Sequence, residues 1–342
     1  MRRTLTIIVI ACQVFVLAFM AGKREYITYT GRIVVLRTAP IDPRDVFRGD
    51  YVRLRYEINN VPYEKAAPEL VELYKKNRSE QTVYASLKEE GGLAELVSLS
   101  LDRPEGLFIK GKIASPREMW SASGGIPVKY GIETYYVQQG QGLAMEKKLG
   151  SRSTVQVPLE MEVAVAGDGT AVIKNYRWSK IGIGIAMIRS RQTGTLRTRG
   201  LEPGRKSARF RITFKNTSEK PLAFVNLPGY CSLTLEPIGI GREGSAIVPD
   251  KPFCAGLNPT ENDVFMFQPG ESGTVDIDLS ESEWRVLSKG KLVEPGELPW
   301  NERFRIVYHP PDAAACSNLE NAKTVWHGRI ATAAFHGRGN VD

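Results

Sequence analysis

Gly49-Asp50-Tyr51-Val52-Arg53-Leu54-Arg55-Tyr56-Glu57-Ile58 is the stretch that decides the class of this fold. Val52, Leu54, Tyr56 and Ile58 share one parity; Tyr51, Arg53, Arg55 and Glu57 share the other. That alternation predicts an extended segment with one face in a core and one in water. Gly49 opens it because glycine takes backbone shapes that other residues resist, and the Asp50 carboxylate can accept hydrogen bonds from backbone donors of the turn. Leu54 and Tyr56 are therefore expected inside. Tyr51 is expected on the opposite side, where it caps the turn or meets a partner. Half-buried strands of this kind belong to antiparallel sheets, and the fold class that follows is mainly β.

The surroundings read the same way. Upstream, Pro40-Ile41-Asp42-Pro43-Arg44-Asp45 opposes regular structure, and a strand is expected before it, over Ile27 to Leu36. Downstream, Ala66 to Lys76 reads as a helix with Ala67, Leu70, Val71 and Tyr74 on its apolar stripe and Pro68 in its first turn. Further strands are expected over Thr82–Leu87, Glu95–Leu101, Leu107–Ile113, Val128–Val137, Thr154–Val165 and Ala171–Tyr176, punctuated by Gly124-Gly125 and Gly167-Asp168-Gly169. Residues 23–178 thus form a β-rich domain with one helix.

A second domain opens at Lys180 and runs to residue 342. Its expected strands lie at Ile181–Met187, Ala208–Phe214, Leu222–Val225, Val264–Phe267, Thr274–Leu279, Phe304–Tyr308 and Thr324–Thr332. Short strands separated by turns predict a two-sheet, immunoglobulin-like β-sandwich. Three cysteines fall here, Cys231, Cys254 and Cys316, with Cys12 far upstream. Cys231 with Cys254 is the favoured disulfide because the loop between them is short and rich in Gly and Pro, although three cysteines allow other pairings.

At the other end, Arg2 and Arg3 precede an apolar run from Thr4 to Ala21. A spanning helix needs about 20 such residues, so residues 1–22 are expected to form a transmembrane anchor in the lipid bilayer. The arginine pair places the amino terminus in the cytoplasm and the body outside, periplasmic or extracellular. Two rival fates are open. A cleaved signal would need small residues at the correct spacing, which Ala18-Phe19-Met20-Ala21 lacks. Lipidation at Cys12 would leave Gln13 to Ala21 exposed.

The net charge is +8, and residues 179–205 hold six basic side chains against one acidic. Arg189, Arg191, Arg197 and Arg199 all sit at odd positions, so an extended hinge would point them one way, toward anionic headgroups or an acidic partner. A solvated linker explains them equally simply. Nucleic acid is not an expected partner, because no basic–aromatic motif accompanies the patch.

Gly49-Asp50-Tyr51-Val52-Arg53-Leu54-Arg55-Tyr56 matches in full the G-D-Y-x-x-L-x-Y signature of a family of membrane-anchored prokaryotic proteins. Asp42-Pro43-Arg44-Asp45 and Tyr130-Gly131-Ile132-Glu133-Thr134-Tyr135-Tyr136-Val137 resemble further blocks of that family. The resemblance covers residues 4–178 and implies an amino-terminal hydrophobic segment followed by an external domain, with no established activity. Where related segments continue Pro-Glu-Gly, this chain has Gln138-Gln139-Gly140.

Candidate chemistry is sparse. Asp42, Asp45 and Asp50 would have to converge to hold a cation, and their spacing is not that of a calcium loop. Cys254, His309, Cys316, His327 and His336 fit no compact zinc pattern, and there is no G-x-S-x-G elbow. Gly239-Ile240-Gly241-Arg242-Glu243-Gly244 lacks the strand-to-helix setting of a nucleotide loop, being bracketed by Pro237 and Pro249. No cofactor, metal or catalytic set is expected. Tyr135 and Tyr136 are adjacent, so one ring should lie inside and the other outside as contact material. The expectation is a non-enzymatic module that binds another envelope or membrane protein. A metal-dependent or hydrolytic envelope enzyme, and a glycan-binding module, are the alternatives.

Overall fold

The computed structural model describes residues 2–38, 51–77, 80–114, 125–138, 141, 145, 148–149, 155–188, 205–238, 246–339 and 341. It opens with α1 (Arg2–Thr30). The helix therefore runs past the expected end of the anchor and through the first part of the expected strand. Ile27, Thr28, Tyr29 and Thr30 favour strands by propensity, but two local effects outweigh that here. Thr28 Oγ1 and Thr30 Oγ1 donate to the carbonyls of Arg24 and Tyr26 at 3.0 and 2.8 Å, the back-bond that makes threonine tolerable in a helix. Ile27 is buried against Ala164 and Val172. The chain then turns at Gly31, where a Cβ would lie 2.6 Å from the Ile27 carbonyl oxygen and 3.1 Å from the Val165 backbone.

The first domain comprises β1 (Arg32–Arg37), β2 (Tyr51–Arg53), β3 (Asn60–Pro62), α2 (Pro68–Asn77), β4 (Thr82–Glu90), β5 (Leu93–Ser100), β6 (Phe108–Ile113), β7 (Gly125–Lys129), β8 (Thr134–Tyr136), β9 (Leu159–Val165) and β10 (Ala171–Trp178). They form a five-stranded sheet in the order β3-β7-β6-β4-β5, a three-stranded sheet β1-β9-β10 and the pair β2-β8. One core joins them, with Val34 and Leu36 of β1, Met161 and Val163 of β9, and Val83, Ile109 and Val128 of the larger sheet. Leu70 and Tyr74 of α2 close it, as the helical stripe required. Across β1-β9-β10, Glu160 stands in register with Arg37 and Arg177 and pairs with both at 2.8 Å.

Three expected strands are shorter than their composition suggested. The ladder begun at Tyr51 ends at Arg53, after which Tyr56 bridges to Thr38 instead. A change of partner interrupts it first and a short helical turn at Glu57–Asn59 then ends the extension, yet Val52, Leu54, Tyr56 and Ile58 are all buried. Val128–Val137 is split by a turn at Gly131, whose φ of 80° suits glycine. Thr154–Val165 begins its ladder only at Leu159, after Pro158, because proline offers no N–H for pairing.

The second domain follows with almost no linker. It contains β11 (Ile181–Met187), β12 (Arg209–Asn216), β13 (Leu222–Val225), β14 (Leu233–Ile238), β15 (Val264–Phe267), β16 (Ser272–Asp278), β17 (Val286–Ser288), β18 (Lys291–Val293), β19 (Arg303–Tyr308) and β20 (Ile330–Ala331). Two antiparallel three-stranded sheets, β11-β12-β16 and β14-β19-β20, share a core of Ile183, Phe210, Phe214, Leu235, Phe304 and Tyr308. The expected long strand over Thr324–Thr332 reduces to β20, because a short helical turn at Ala322–Thr324 precedes it.

Residues 181–187 are the core strand that their alternation predicts. Gln156 and Ile183 exchange two backbone hydrogen bonds of 2.8 Å, and Thr217 Oγ1 donates to the Ser179 carbonyl at 2.7 Å. The junction is therefore tied on both sides of the crossing chain.

Candidate functional site: the paired signature strands

The two blocks singled out in the first domain lie against each other. Tyr51, Val52 and Arg53 of β2 stand opposite Tyr136, Tyr135 and Thr134 of β8, and Leu54 N–H donates to the Glu133 carbonyl at 2.8 Å. Beyond the ladder the blocks exchange phenols. Tyr56 Oη donates to the Ile132 carbonyl at 2.8 Å, and Tyr130 Oη donates to the Ile58 carbonyl at 2.9 Å. Asn59 knits the same place together, accepting from Tyr56 N–H at 2.6 Å and donating to the Val128 carbonyl at 2.8 Å.

Glu133 is the anion of this knot. Its carboxylate accepts from Tyr130 N–H at 2.6 Å, Gly131 N–H at 2.9 Å and Asn59 Nδ2 at 3.1 Å. Burial, reinforced by that carboxylate, pushes the Tyr56 and Tyr130 phenols far above their ordinary range. Both rings remain neutral donors and cannot serve as bases or nucleophiles near neutral pH.

This geometry explains the spacing of the signature: Leu54 and Tyr56 are core residues, and the tyrosine hydroxyl finds its acceptor only in the second block. A model of the family described as GDYXXLXY protein matches residues 13–175. The first domain is a GDYXXLXY domain. No curated protein matches the chain.

On the outer side of the GDYXXLXY domain, Tyr136 is 74% exposed. Tyr135 is partly covered by Tyr176, edge-on at 5.7 Å, and its phenol is raised by burial first and Tyr176 second. Tyr176 meets Trp178 edge-on at 6.4 Å, and Lys148 Nζ lies 4.8 Å from the Trp178 ring. The adjacent tyrosines thus end in different surroundings, one against an aromatic ladder and one in solvent.

Asp42, Asp45, Gly49 and Asp50 lie outside the described residues, as do Arg189, Arg191, Arg197, Arg199 and the loop over Gly239–Gly244. For Tyr51 the structure gives the backbone register alone. Cys231 and Cys254 form the disulfide, with Cα atoms 5.4 Å apart. Cys316 is a buried thiol, raised by burial and by Asp312, and Cys12 is exposed on α1. Among the described residues no group of three His, Cys, Asp or Glu side chains could hold a metal ion.

One constellation had no local signal in the sequence. Glu57, the residue after the signature, reaches across to the second domain, where Arg329 lies 3.2 Å away and Arg305 3.9 Å. Arg329 also contacts Glu236 at 2.7 Å and Glu95 at 3.8 Å, and Arg305 contacts Glu236 at 2.8 Å. Burial would raise the Glu236 carboxyl, but Arg305 and Arg329 outweigh it and hold it at about 2. Glu95 is raised by burial, which Arg329 only partly offsets. His309, 3.9 Å from Glu236, is pushed down by burial and then by Arg329. The arrangement is a charged joint between the two domains.

Proposed function

We propose that this chain is a membrane-anchored, extracytoplasmic accessory protein that binds another membrane or envelope protein rather than carrying out catalysis. The observation behind this reading is α1. Its apolar stretch is long enough to cross a bilayer, none of it is covered by the body, and it enters the GDYXXLXY domain through Gly31 without a linker. Arg2 and Arg3 before that stretch favour a cytoplasmic amino terminus. The Cys231–Cys254 disulfide suits an oxidising exterior. Two antiparallel sheets around one core support reading the second domain as an immunoglobulin-like binding module.

The test uses the tagged full-length chain. Intact membranes are cross-linked and solubilised in mild detergent, and what copurifies is identified. One membrane or envelope protein recovered in near-stoichiometric amount is the expected result. Recovery of the chain alone would refute the accessory role. A chain released by carbonate washing, or shortened at its amino terminus, would refute the anchor.

A further inference from the structure

We propose that the open edge of β18 receives an extended, acidic and apolar strand from a partner protein. This deepens the accessory role and rests on it. The hairpin of β17 and β18 turns at Lys289 and Gly290, whose φ values of 49° and 75° give the twist that joins adjacent antiparallel strands. Ile247 adds a third position by bridging to Leu287. Opposite residues share a face, so Ile247, Leu287 and Leu292 form one row across the three segments. The inward residues, Ala246 and Val286, are buried, whereas Ile247 is 61% and Leu292 58% exposed.

The hydrogen-bond parity makes this row continue outward. Leu287 exchanges both backbone bonds with Ile247, N–H to O at 2.7 Å and O from N–H at 2.9 Å. Its peptide groups therefore point away from β18, and Leu287 with Leu292 is a non-hydrogen-bonded pair. Leu292 N–H and C=O accordingly point to the other side of β18. Among the described residues β18 pairs with β17 alone. An incoming strand would meet a donor and an acceptor at Leu292 and would place its own apolar side chain next in the row.

Charge selects the occupant. Arg285, exposed one residue before β17, shares the parity of Leu287 and also acts on Glu297, while Lys289 and Lys291 are exposed at the turn. Glu294 has an oxygen turned inward and buried, and Asp250 lies beyond Pro249, outside the strands. A second copy pairing edge to edge would bring its own lysines against these, the device by which natural edges avoid self-pairing. Carboxylates flanking apolar residues on an extended segment complement both features.

The probe is a fluorescent peptide, Thr-Glu-Thr-Ile-Thr-Glu-Thr, whose carboxylates stand two positions from the isoleucine and so share its face, titrated by anisotropy against the full chain in nanodiscs of neutral lipid. Saturable binding is expected, with no binding of the counterpart that carries Lys in place of Glu. Leu292→Glu should weaken it about tenfold, equivalent to about 1.4 kcal/mol, and Leu292→Val should largely retain it. Absence of saturable binding, equal binding of both peptides, or indifference to Leu292→Glu overturns the proposal. So does a dimer of the wild-type chain that Leu292→Glu abolishes, which would assign the edge to self-association. If Leu292→Glu still copurifies the cross-linked partner, this edge is not the docking surface while the accessory role stands.

Discussion

Replacing Arg329 by Met should loosen the joint between the two domains. The guanidinium is largely enclosed, with 16% of its side chain exposed, and it faces Glu57, Glu236 and Glu95 at 3.2, 2.7 and 3.8 Å. Methionine conserves much of the stem but leaves three carboxylates close together, with Arg305 still beside two of them, Glu57 at 3.9 Å and Glu236 at 2.8 Å. Removing one partner of a buried pair costs about 3–5 kcal/mol. Water reaches the rim of this cluster, so we expect the lower end, about 3 kcal/mol. Urea unfolding of the purified full chain at neutral pH, followed by far-UV circular dichroism and by tryptophan fluorescence, measures it. The cycle with Glu57→Gln isolates the contact across the domains, and the double variant should be less destabilised than the two singles summed, by about 1–2 kcal/mol. A loss below about 1 kcal/mol for Arg329→Met, or strict additivity in the cycle, would refute the view that this cluster couples the domains.

The pH dependence has a definite sign. Glu236 is held at about 2 against an ordinary 4.5, so its contribution is fully present above pH 4.5 and is lost as pH falls toward 2; it amounts to about 3 kcal/mol at most. Unfolding free energies measured between neutral pH and pH 3 should decline accordingly. The decline should be smaller in Glu236→Gln but not abolished, because burial would raise Asp278 but Ser280 and Arg205 hold it likewise at about 2. Tyr56→Phe removes the donor to the buried Ile132 carbonyl and should cost about 1–3 kcal/mol in urea unfolding, with little change in packing volume. Opening the Cys231–Cys254 bridge, 23 residues apart in sequence, with a Ser pair should cost about 3 kcal/mol. The same loss should follow reductant added to the wild-type chain, and insensitivity to both would show that the second domain does not depend on the bridge.

Alternation made the signature legible. Val52, Leu54, Tyr56 and Ile58 enter the core on parity alone, although the ladder they belong to ends at Arg53. Parity records which face is buried, and the identity of the neighbouring strand lies elsewhere in the chain. That is why the exchange of partner from β8 to Thr38 left no local trace. The β17–β18 hairpin escaped for a different reason. Its strands span three residues each, too few for periodicity to register, and Lys-Gly is a weaker turn signal than Asn-Gly. In α1 the propensity of Ile27-Thr28-Tyr29-Thr30 pointed to strand, and the burial of Ile27 on Ala164 and Val172 decided otherwise.

Glu57 shows where sequence reading stops and what the fold adds. Its parity marks it as outward, and within the first domain it is outward; the second domain then covers it with Arg329, 272 positions later. Arg189, Arg191, Arg197 and Arg199 of the basic segment lie outside the described residues, but the expected strand Ile181–Met187 that precedes them is stitched to Gln156 on one side and to β12 on the other. Freedom between the domains is thus opposed at three separate places: the Gln156–Ile183 pair, the Thr217–Ser179 bond and the Glu57–Arg329 contact. The amino-terminal junction is equally short, because Gly31 admits no side chain between α1 and β9. On the anchored reading, these constraints transmit the orientation of α1 through the GDYXXLXY domain to the second domain. An edge such as β18 would then be offered to a neighbour in the same membrane at a fixed attitude, which lowers the ordering cost of binding in the way preorganised surfaces do.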